Sequence, residues 1–132
     1  MTVCILILVG APSEQAEARP GGRLSVTQHV DYSKGRPIEG ARFYLSLRRR
    51  IGSELRSPTG RAFSGAVRLG RVLPAGRYRI ASWVRTCAGT CDFLDPPSAR
   101  CFREIRIRSN DRLRLRLETR FAGPCTFFKR SG

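Results

Sequence analysis

Residues 73–101, LPAGRYRIASWVRTCAGTCDFLDPPSARC, join a turn, an alternating strand and a cysteine-rich loop. Pro74-Ala75-Gly76 favours a tight turn, because proline presets φ at the second turn position and glycine tolerates the positive φ that follows. Within residues 77–85, even-numbered and odd-numbered side chains would point to opposite faces of a strand. The loop that follows is rich in Gly, Asp and Pro, which disfavour a continuous ladder, so we expect disulfides to hold it in place.

Alternating apolar positions predict further strands along the chain. We expect strands within Leu24–Val30, Ala41–Arg48 and Ala62–Leu69, and a last strand within Arg120–Phe128. Ser53–Gly60 is polar and rich in turn residues, so it is interpreted as a loop. No stretch of useful length has a helical period. The sequence therefore predicts an all-β fold, a single antiparallel β-sandwich of about seven strands, immunoglobulin-like and stapled by disulfides.

The most regular alternation lies in residues 102–117 and predicts a hairpin with Ser109-Asn110-Asp111 as its turn. With Asn110 at the apex, Ile107 would lie opposite Leu113 and Arg106 opposite Arg114. Directly opposed arginines repel each other, and a bound anion would relieve the repulsion. The exposed face of this hairpin is therefore a candidate polyanion site, with a solvated outer face as the alternative. Its arginines are Arg106, Arg108, Arg112, Arg114 and Arg116.

The first 18 residues are interpreted as a signal peptide. The apolar run Val3–Ala11 and the small-x-small pattern Ala16-Glu17-Ala18 favour export, although no basic residue precedes the run. A buried strand over Thr2–Val9 is the alternative, and the run is too short to span a bilayer. Cleavage would leave residues 19–132 as one domain without a transmembrane span. It would remove two glutamates and no basic residue, which takes the formal charge from +15 to +17.

Cleavage would also leave four cysteines, Cys87, Cys91, Cys101 and Cys125, an even number that is typical of an oxidising compartment. The protein is therefore predicted to be secreted or displayed at the cell surface. Three pairings are possible, and we favour Cys91 with Cys101 and Cys87 with Cys125. Zinc binding is the competing use, but three residues separate Cys87 from Cys91, which is atypical for structural zinc. We expect no metal and no other cofactor.

Catalytic motifs are scarce. His29 is the only histidine, no G-x-S-x-G nucleophile motif occurs, and no glycine loop suits a phosphate. Asp92 and Asp95 could form an acid pair or an oxygen-rich calcium site, but aspartates beside prolines more often cap turns. The sequence therefore predicts a protein that is not an enzyme.

Two functions remain open. The first is a secreted, non-catalytic binding or structural module for a cell-envelope component or a protein partner, with its contact patch in the cysteine loop and the strand before it. The residues of that patch are Trp83, Arg85, Asp92, Phe93 and Asp95. The second is a polyanion binder, for nucleic acid or anionic glycan, that uses the arginines of the hairpin. Basic residues outnumber acidic ones by 25 to 10, yet 23 of them are Arg, which a GC-rich genome would also produce. No aromatic residue interleaves with the hairpin arginines, which disfavours single-stranded nucleic acid.

Three short motifs, Gly40-Ala41-Arg42-Phe43, Ala62-Phe63 and Leu73-Pro74-Ala75-Gly76-Arg77-Tyr78, occur in that order within residues 37–79. They resemble the "G-A-x-V" strand, the aromatic strand and the "L-P-x-G-x-Y" turn of the carboxypeptidase regulatory-like, or transthyretin-like, family of extracellular sandwich modules. The loop of residues 87–101 is similar to one in small secreted actinobacterial proteins that carry no established activity. The resemblance implies a sandwich fold and an extracellular location, and it implies no catalytic residue.

Overall fold

The computed structural model describes residues 20–31, 40–52, 65–87, 93–120 and 123–130. For residues 54–63 it describes the backbone. They form two four-stranded sheets, so the predicted all-β sandwich is confirmed. Eight strands are described where the sequence predicted about seven. The strands are β1 (Gly21–Asp31), β2 (Arg42–Ile51), β3 (Glu54–Phe63), β4 (Arg68–Pro74), β5 (Gly76–Arg85), β6 (Ser98–Ile107), β7 (Arg112–Arg120) and β8 (Thr126–Lys129).

The first sheet has the strand order β4-β1-β7-β8 and the second sheet has the order β3-β2-β5-β6. Neighbouring strands are antiparallel except β1 and β7, which run parallel. Parallel neighbours need a long crossover connection. Here that connection comprises the whole second sheet and β4, which ties the two layers into one fold.

The core lies between the sheets and follows the predicted alternation. In β5 the even-numbered residues Tyr78, Ile80, Ser82 and Val84 are buried, whereas their odd-numbered neighbours are not. The buried apolar residues of the other described strands and connections complete this core: Leu24, Val26, Ala41, Phe43, Leu45, Leu47, Val67, Leu73, Ala99, Ile105, Ile107, Leu115, Leu117, Cys125 and Phe127.

The interpretation of residues 53–69 is wrong. The polar segment after residue 53 forms β3 rather than a loop, and the strand predicted over Ala62–Leu69 is interrupted where the chain crosses to the first sheet. Strand preference depends strongly on neighbours, and pairing with β2 supplies the ladder hydrogen bonds that local composition does not predict.

A buried polar network holds this crossing in place. The backbone N–H of Val67 donates to Gln28 Oε1 at 2.9 Å, and the Gln28 backbone N–H donates to the Val67 carbonyl at 2.9 Å. The Gln28 Nε2 group donates to Thr119 Oγ1 at 2.7 Å. Both the amide oxygen and the amide nitrogen of this inward-facing residue of β1 are thus hydrogen-bonded, which removes most of the penalty for burying them.

The predicted hairpin of residues 102–117 is also wrong, because β6 belongs to the second sheet and β7 to the first. The turn itself is present, with Asn110 at φ 62°, but it forms a corner between the layers. Its backbone docks on the start of β1: Asn110 N donates to Gly21 O at 3.0 Å and Arg23 N donates to Asp111 O at 2.7 Å. Alternation cannot distinguish a hairpin from a corner, since both arrangements bury the same side chains.

The favoured disulfide pairings, Cys91 with Cys101 and Cys87 with Cys125, are wrong. Cys101 is bonded to Cys125, with a Cα–Cα distance of 5.2 Å, and this bond links β6 to the segment before β8 and so joins the two sheets. Cys87 is also disulfide-bonded. A cross-link between positions 24 residues apart removes about 3 kcal/mol of unfolded-chain entropy in the simple loop model.

The turn predicted at Pro74-Ala75-Gly76 is confirmed, and it carries the chain from β4 in the first sheet to β5 in the second. Tyr78 Oη donates to the Pro74 carbonyl at 2.6 Å, and Arg49 Nη2 donates to the Ala75 carbonyl at 3.1 Å. Burial raises the pKa of the Tyr78 hydroxyl, and the charge of Arg49 partly opposes that shift. The hydroxyl therefore stays protonated and keeps donating to the corner. A tyrosine that bonds back to the chain at a corner is a recurrent device of β-sandwiches.

Three sequence predictions fall outside this description. The signal peptide, residues 1–18, and the side chains of Cys91 and Asp92 lie outside the described residues. In the part of the chain that is described, no helix is long and apolar enough to cross a membrane.

Candidate functional site

The outer face of the second sheet carries two neighbouring rows of charged side chains. Each row runs across β2, β5 and β6, because the strand registers place these residues directly beside one another. Neighbouring strands lie about 4.8 Å apart, so the side chains of one row are close neighbours. We call these six residues the arginine face: Arg50, Arg77 and Arg106 in the first row, and Arg48, Arg79 and Glu104 in the second.

Glu104 is the only acidic residue in the sequences of β2, β5 and β6. Its carboxylate accepts hydrogen bonds from Arg79 Nε at 2.7 Å and from Arg50 Nη2 at 3.1 Å. The hydrogen bond from Arg79, followed by that from Arg50, lowers the pKa of Glu104 below its ordinary value of 4.5, although burial opposes the shift. Five arginines against one glutamate leave the arginine face with a net charge of +4.

Within the described residues, Arg77 and Arg106 have no acidic partner. Both side chains are exposed, and they line a cleft of about 500 Å³ together with Arg50, Gly52, Glu104 and Ile105. Like charges placed directly opposite each other on a sheet are unfavourable. Guanidinium groups bind phosphate and sulfate oxygens through paired hydrogen bonds, so an anion in this cleft would turn repulsion into attraction.

Aromatic side chains lie on the same outer face, further along the strands. The rings of Tyr44 and Trp83 are stacked, with centroids 5.3 Å apart and an interplanar angle of 2°. Phe102 is 64% exposed, and the Arg79 guanidinium lies 4.8 Å from its ring centroid. Beyond the stacked pair, Arg42 lies opposite Arg85. The aromatic side chains therefore lie between arginines at both ends. The sequence predicted no aromatic residue among the hairpin arginines, of which only Arg106 belongs to this face.

The patch predicted around the cysteine loop divides into two parts. Arg85 donates to the carbonyls of Leu94 and Asp95, both at 2.9 Å, and the Asp95 carboxylate accepts from Thr86 Oγ1 at 2.7 Å. Arg85 and Asp95 thus hold the loop in position. Phe93 is 85% exposed, and Trp83 is half-buried against Tyr44. Of the predicted patch, Trp83 and Phe93 are the described side chains without a structural hydrogen bond.

The five arginines of the predicted hairpin do not share one face. Arg106 belongs to the arginine face on the second sheet, whereas three of the other arginines lie on β7, on the outer face of the first sheet. Arg108 lies at the corner between the sheets. All five side chains are exposed. The three on β7 are Arg112, Arg114 and Arg116.

A metal site and His29 are the remaining candidates from the sequence, and the described side chains bear on both. Among them, no group of three or more His, Cys, Asp or Glu residues is placed to hold a metal ion. His29 is exposed on the outer face of β1, in register with Glu118 of β7.

No protein-family model matches the chain, and no curated protein is similar to its sequence. Among solved structures, a crystal structure of (S)-allantoin synthase is similar, with a TM-score of 0.46 and 18% sequence identity. The similarity covers 86% of this chain and 45% of the (S)-allantoin synthase chain, so this protein spans less than half the length of that chain.

Sequence reasoning missed most of the arginine face. Strand alternation does assign each side chain to the inner or outer face of its own strand. It does not indicate that β2, β5 and β6 are neighbours, and only that order brings the arginines into rows. The residues missed are Arg48, Arg50, Arg77, Arg79 and Glu104 of the arginine face, and Arg42, Tyr44 and Phe102 on the same side of the sheet.

Proposed function

We propose that the protein is a non-catalytic β-sandwich module that binds linear polyanions through its arginine face. The observation that carries this proposal is the row Arg50, Arg77 and Arg106, in which three guanidinium groups lie on adjacent strands with no acidic residue in the row. The folded protein holds these charges together at a cost that a phosphate or sulfate group would offset.

Linear polyanions suit this surface better than single anions do. The cleft beside Arg77 and Arg106 is broad and open, and the basic side chains continue along the strands past Trp83 to Arg42. A polymer with a charged group on each unit would meet arginines at several points, and each contact would release counterions from the polymer. Exposed Phe102 offers a ring face to the sugars or bases between the charged groups.

The proposed setting is outside the cell or at its surface. The Cys101–Cys125 bond and the disulfide-bonded state of Cys87 support this part of the proposal, because disulfides persist in oxidising compartments. Anionic glycans and phosphate-bearing envelope polymers are the polyanions found there. The turn at Leu73–Tyr78 resembles a turn of the carboxypeptidase regulatory-like modules, which are extracellular. We propose that the protein is a module of this kind, which agrees with a location outside the cell.

The salt dependence of binding tests this function. Affinity for a 20-base-pair DNA duplex, chosen as a phosphate polymer of known charge density, should fall linearly on a log-log plot against salt concentration. When binding is followed by the fluorescence of Trp83, which lies on the same outer face, replacing Arg77 and Arg106 by Gln should reduce the slope by about 2, since each phosphate that this face no longer neutralises reduces it by about 1. The same measurement with heparin, a sulfated polymer, should place the salt slopes of the wild type and the variants in the same order.

Arg71→Gln is the matched control, because Arg71 is also an exposed strand arginine but lies on edge strand β4 of the other sheet. It should leave the slope almost unchanged. A flat slope for the wild-type protein, or equal slopes for the wild type and the Arg77/Arg106 double variant, would contradict the proposed function.

A further inference from the structure

We propose that the outer face of the first sheet is a second polyanion site, so that one molecule holds two polyanion chains, one on each side of the sandwich. This inference rests on the proposed function of the arginine face. It concerns a different set of residues, in β1 and β7. The ligand has the same chemistry, a linear polymer that carries phosphate or sulfate groups.

The parallel register of β1 and β7 builds this site. Arg23 lies beside Arg112, and Ser25 lies beside Arg114. The three arginines line a cleft of about 610 Å³, which also includes Val72 of β4 at 67% exposure. Paired strand positions that face outward therefore bring arginine side chains together here, as they do on the arginine face. We call this cleft of about 610 Å³ the β1–β7 cleft.

Acidic residues do not neutralise the β1–β7 cleft. Asp111 is the one acidic residue that lines it, and its carboxylate accepts the backbone N–H of Arg108 at 2.8 Å, as part of the turn. Further along β7, Glu118 pairs with Arg116 at 3.0 Å and Asp31 pairs with Arg120 at 3.7 Å. Within the described residues, Arg23, Arg112 and Arg114 have no ion pair. The positive charge on this face is thus concentrated at the cleft.

The two sites face in opposite directions. Stacked sheets lie about 10 Å apart, and the side chains of the two outer faces point away from each other. A smaller cleft of about 390 Å³ lies at the edge of the sandwich formed by β6 and β8, and it is lined by Arg103, Arg108 and Lys129 together with Glu104 and Asp111. A flexible polymer could follow this edge from one face to the other, but a short DNA duplex could not, because the persistence length of DNA is about 150 base pairs.

A two-duplex capture experiment tests the inference with the full chain. A biotinylated 20-base-pair duplex is immobilised, saturated with protein and washed, and a fluorescent duplex of the same length is then added. Wild-type protein should retain the second duplex. Replacing Arg112 and Arg114 by Glu should leave loading on the first duplex intact and lower retention of the second by about tenfold or more. Replacing Arg77 and Arg106 by Glu should have the same effect, because loading then uses the β1–β7 cleft alone.

The outcomes separate the two proposals. Loading without retention of a second duplex would overturn the second site and leave the proposed function intact. Failure of the wild type to load at low salt would overturn the proposed function itself. Retention that persists in the Arg112/Arg114 variant would mean that paired molecules bridge through their arginine faces, and it would also overturn the inference. Circular dichroism shows whether the Arg112→Glu/Arg114→Glu variant folds. If it does not fold, the milder Arg112→Gln/Arg114→Gln variant replaces it in the same experiment.

Discussion

Glu104 sets how much positive charge the arginine face presents. Its carboxylate contacts Arg50 and Arg79, one from each row, so it neutralises part of the face and leaves Arg77 and Arg106 without an acidic partner among the described residues. The Glu104 side chain is 43% exposed, so water and salt screen both ion pairs. Such exposed pairs contribute at most about 1 kcal/mol to stability. The main effect of Glu104 is therefore on the charge available to a ligand.

Replacing Glu104 by Gln should have opposite effects on stability and binding. The free energy of unfolding should fall by at most about 1 kcal/mol, because two exposed ion pairs are removed. Affinity for heparin should rise about threefold, since a unit charge about 7 Å from a bound sulfate in a watery environment contributes roughly 0.6 kcal/mol. Urea titration and calorimetry measure the two effects, and a loss of heparin affinity in this variant would contradict the role given to Glu104.

The same carboxylate predicts a pH dependence. The hydrogen bonds from Arg79 and Arg50 lower the folded-state pKa of Glu104 below 4.5, so its contribution to stability is complete above that pH. The contribution is lost as the pH falls through the lowered folded-state value. The difference in heparin affinity between the wild type and Glu104→Gln should disappear over the same interval, and a difference that persists below it would count against this explanation.

At the scale of elements, the corner between β6 and β7 depends on close contact with the start of β1. A Cβ atom on Gly22 would lie 2.8 Å from the Arg108 carbonyl oxygen and 3.0 Å from the Asp111 carbonyl oxygen. Both oxygens belong to the backbone of the corner, so they cannot move without disturbing the turn. This contact fixes the direction in which β7 leaves β6, and so it places Arg112 and Arg114 on the first sheet.

Gly22→Ala should therefore destabilise the protein by about 1–3 kcal/mol, the usual cost of inserting an atom into a packed site. Gly70→Ala is the matched control, because it is a strand glycine around which a Cβ would meet no atom within 4 Å. That substitution should be neutral or stabilising, since alanine loses less entropy on folding than glycine. Equal urea midpoints for the two variants would contradict the close packing of the corner.

The elements also show what the sequence could predict. Alternation in β1 and β2 indicates the buried side of each strand, alternation in β5 separates its two faces, and the turns at Pro74-Ala75-Gly76 and Ser109-Asn110-Asp111 lie where the sequence predicts them. The partner of each strand was not predictable in this way. A local pattern is satisfied by any partner that buries the same side, so the β6–β7 corner was interpreted as a hairpin and the Cys101–Cys125 pairing was missed.

At the scale of the whole molecule, the exposed arginines of β5, β6 and β7 lie on two opposite outer faces rather than on one hairpin. Composition predicted a basic protein, and strand order determines where the charge is concentrated. The arginine face has Tyr44, Trp83 and Phe102 on the same side of the sheet, whereas the residues that line the β1–β7 cleft include exposed Val72 and no aromatic residue. These different surroundings allow the two faces to be probed separately in one molecule.

Trp83 is the only tryptophan in the chain and lies on the same outer face as the arginine face, so its fluorescence reports on that side of the sandwich. Titration of the wild-type protein with heparin at low salt is the most direct test of the central claim. The emission of Trp83 should change to saturation and recover when salt is added, and Arg77→Gln/Arg106→Gln should weaken this response whereas Arg112→Gln/Arg114→Gln should not. Heparin binding, measured by calorimetry, that leaves the emission unchanged would place the site elsewhere and contradict the claim.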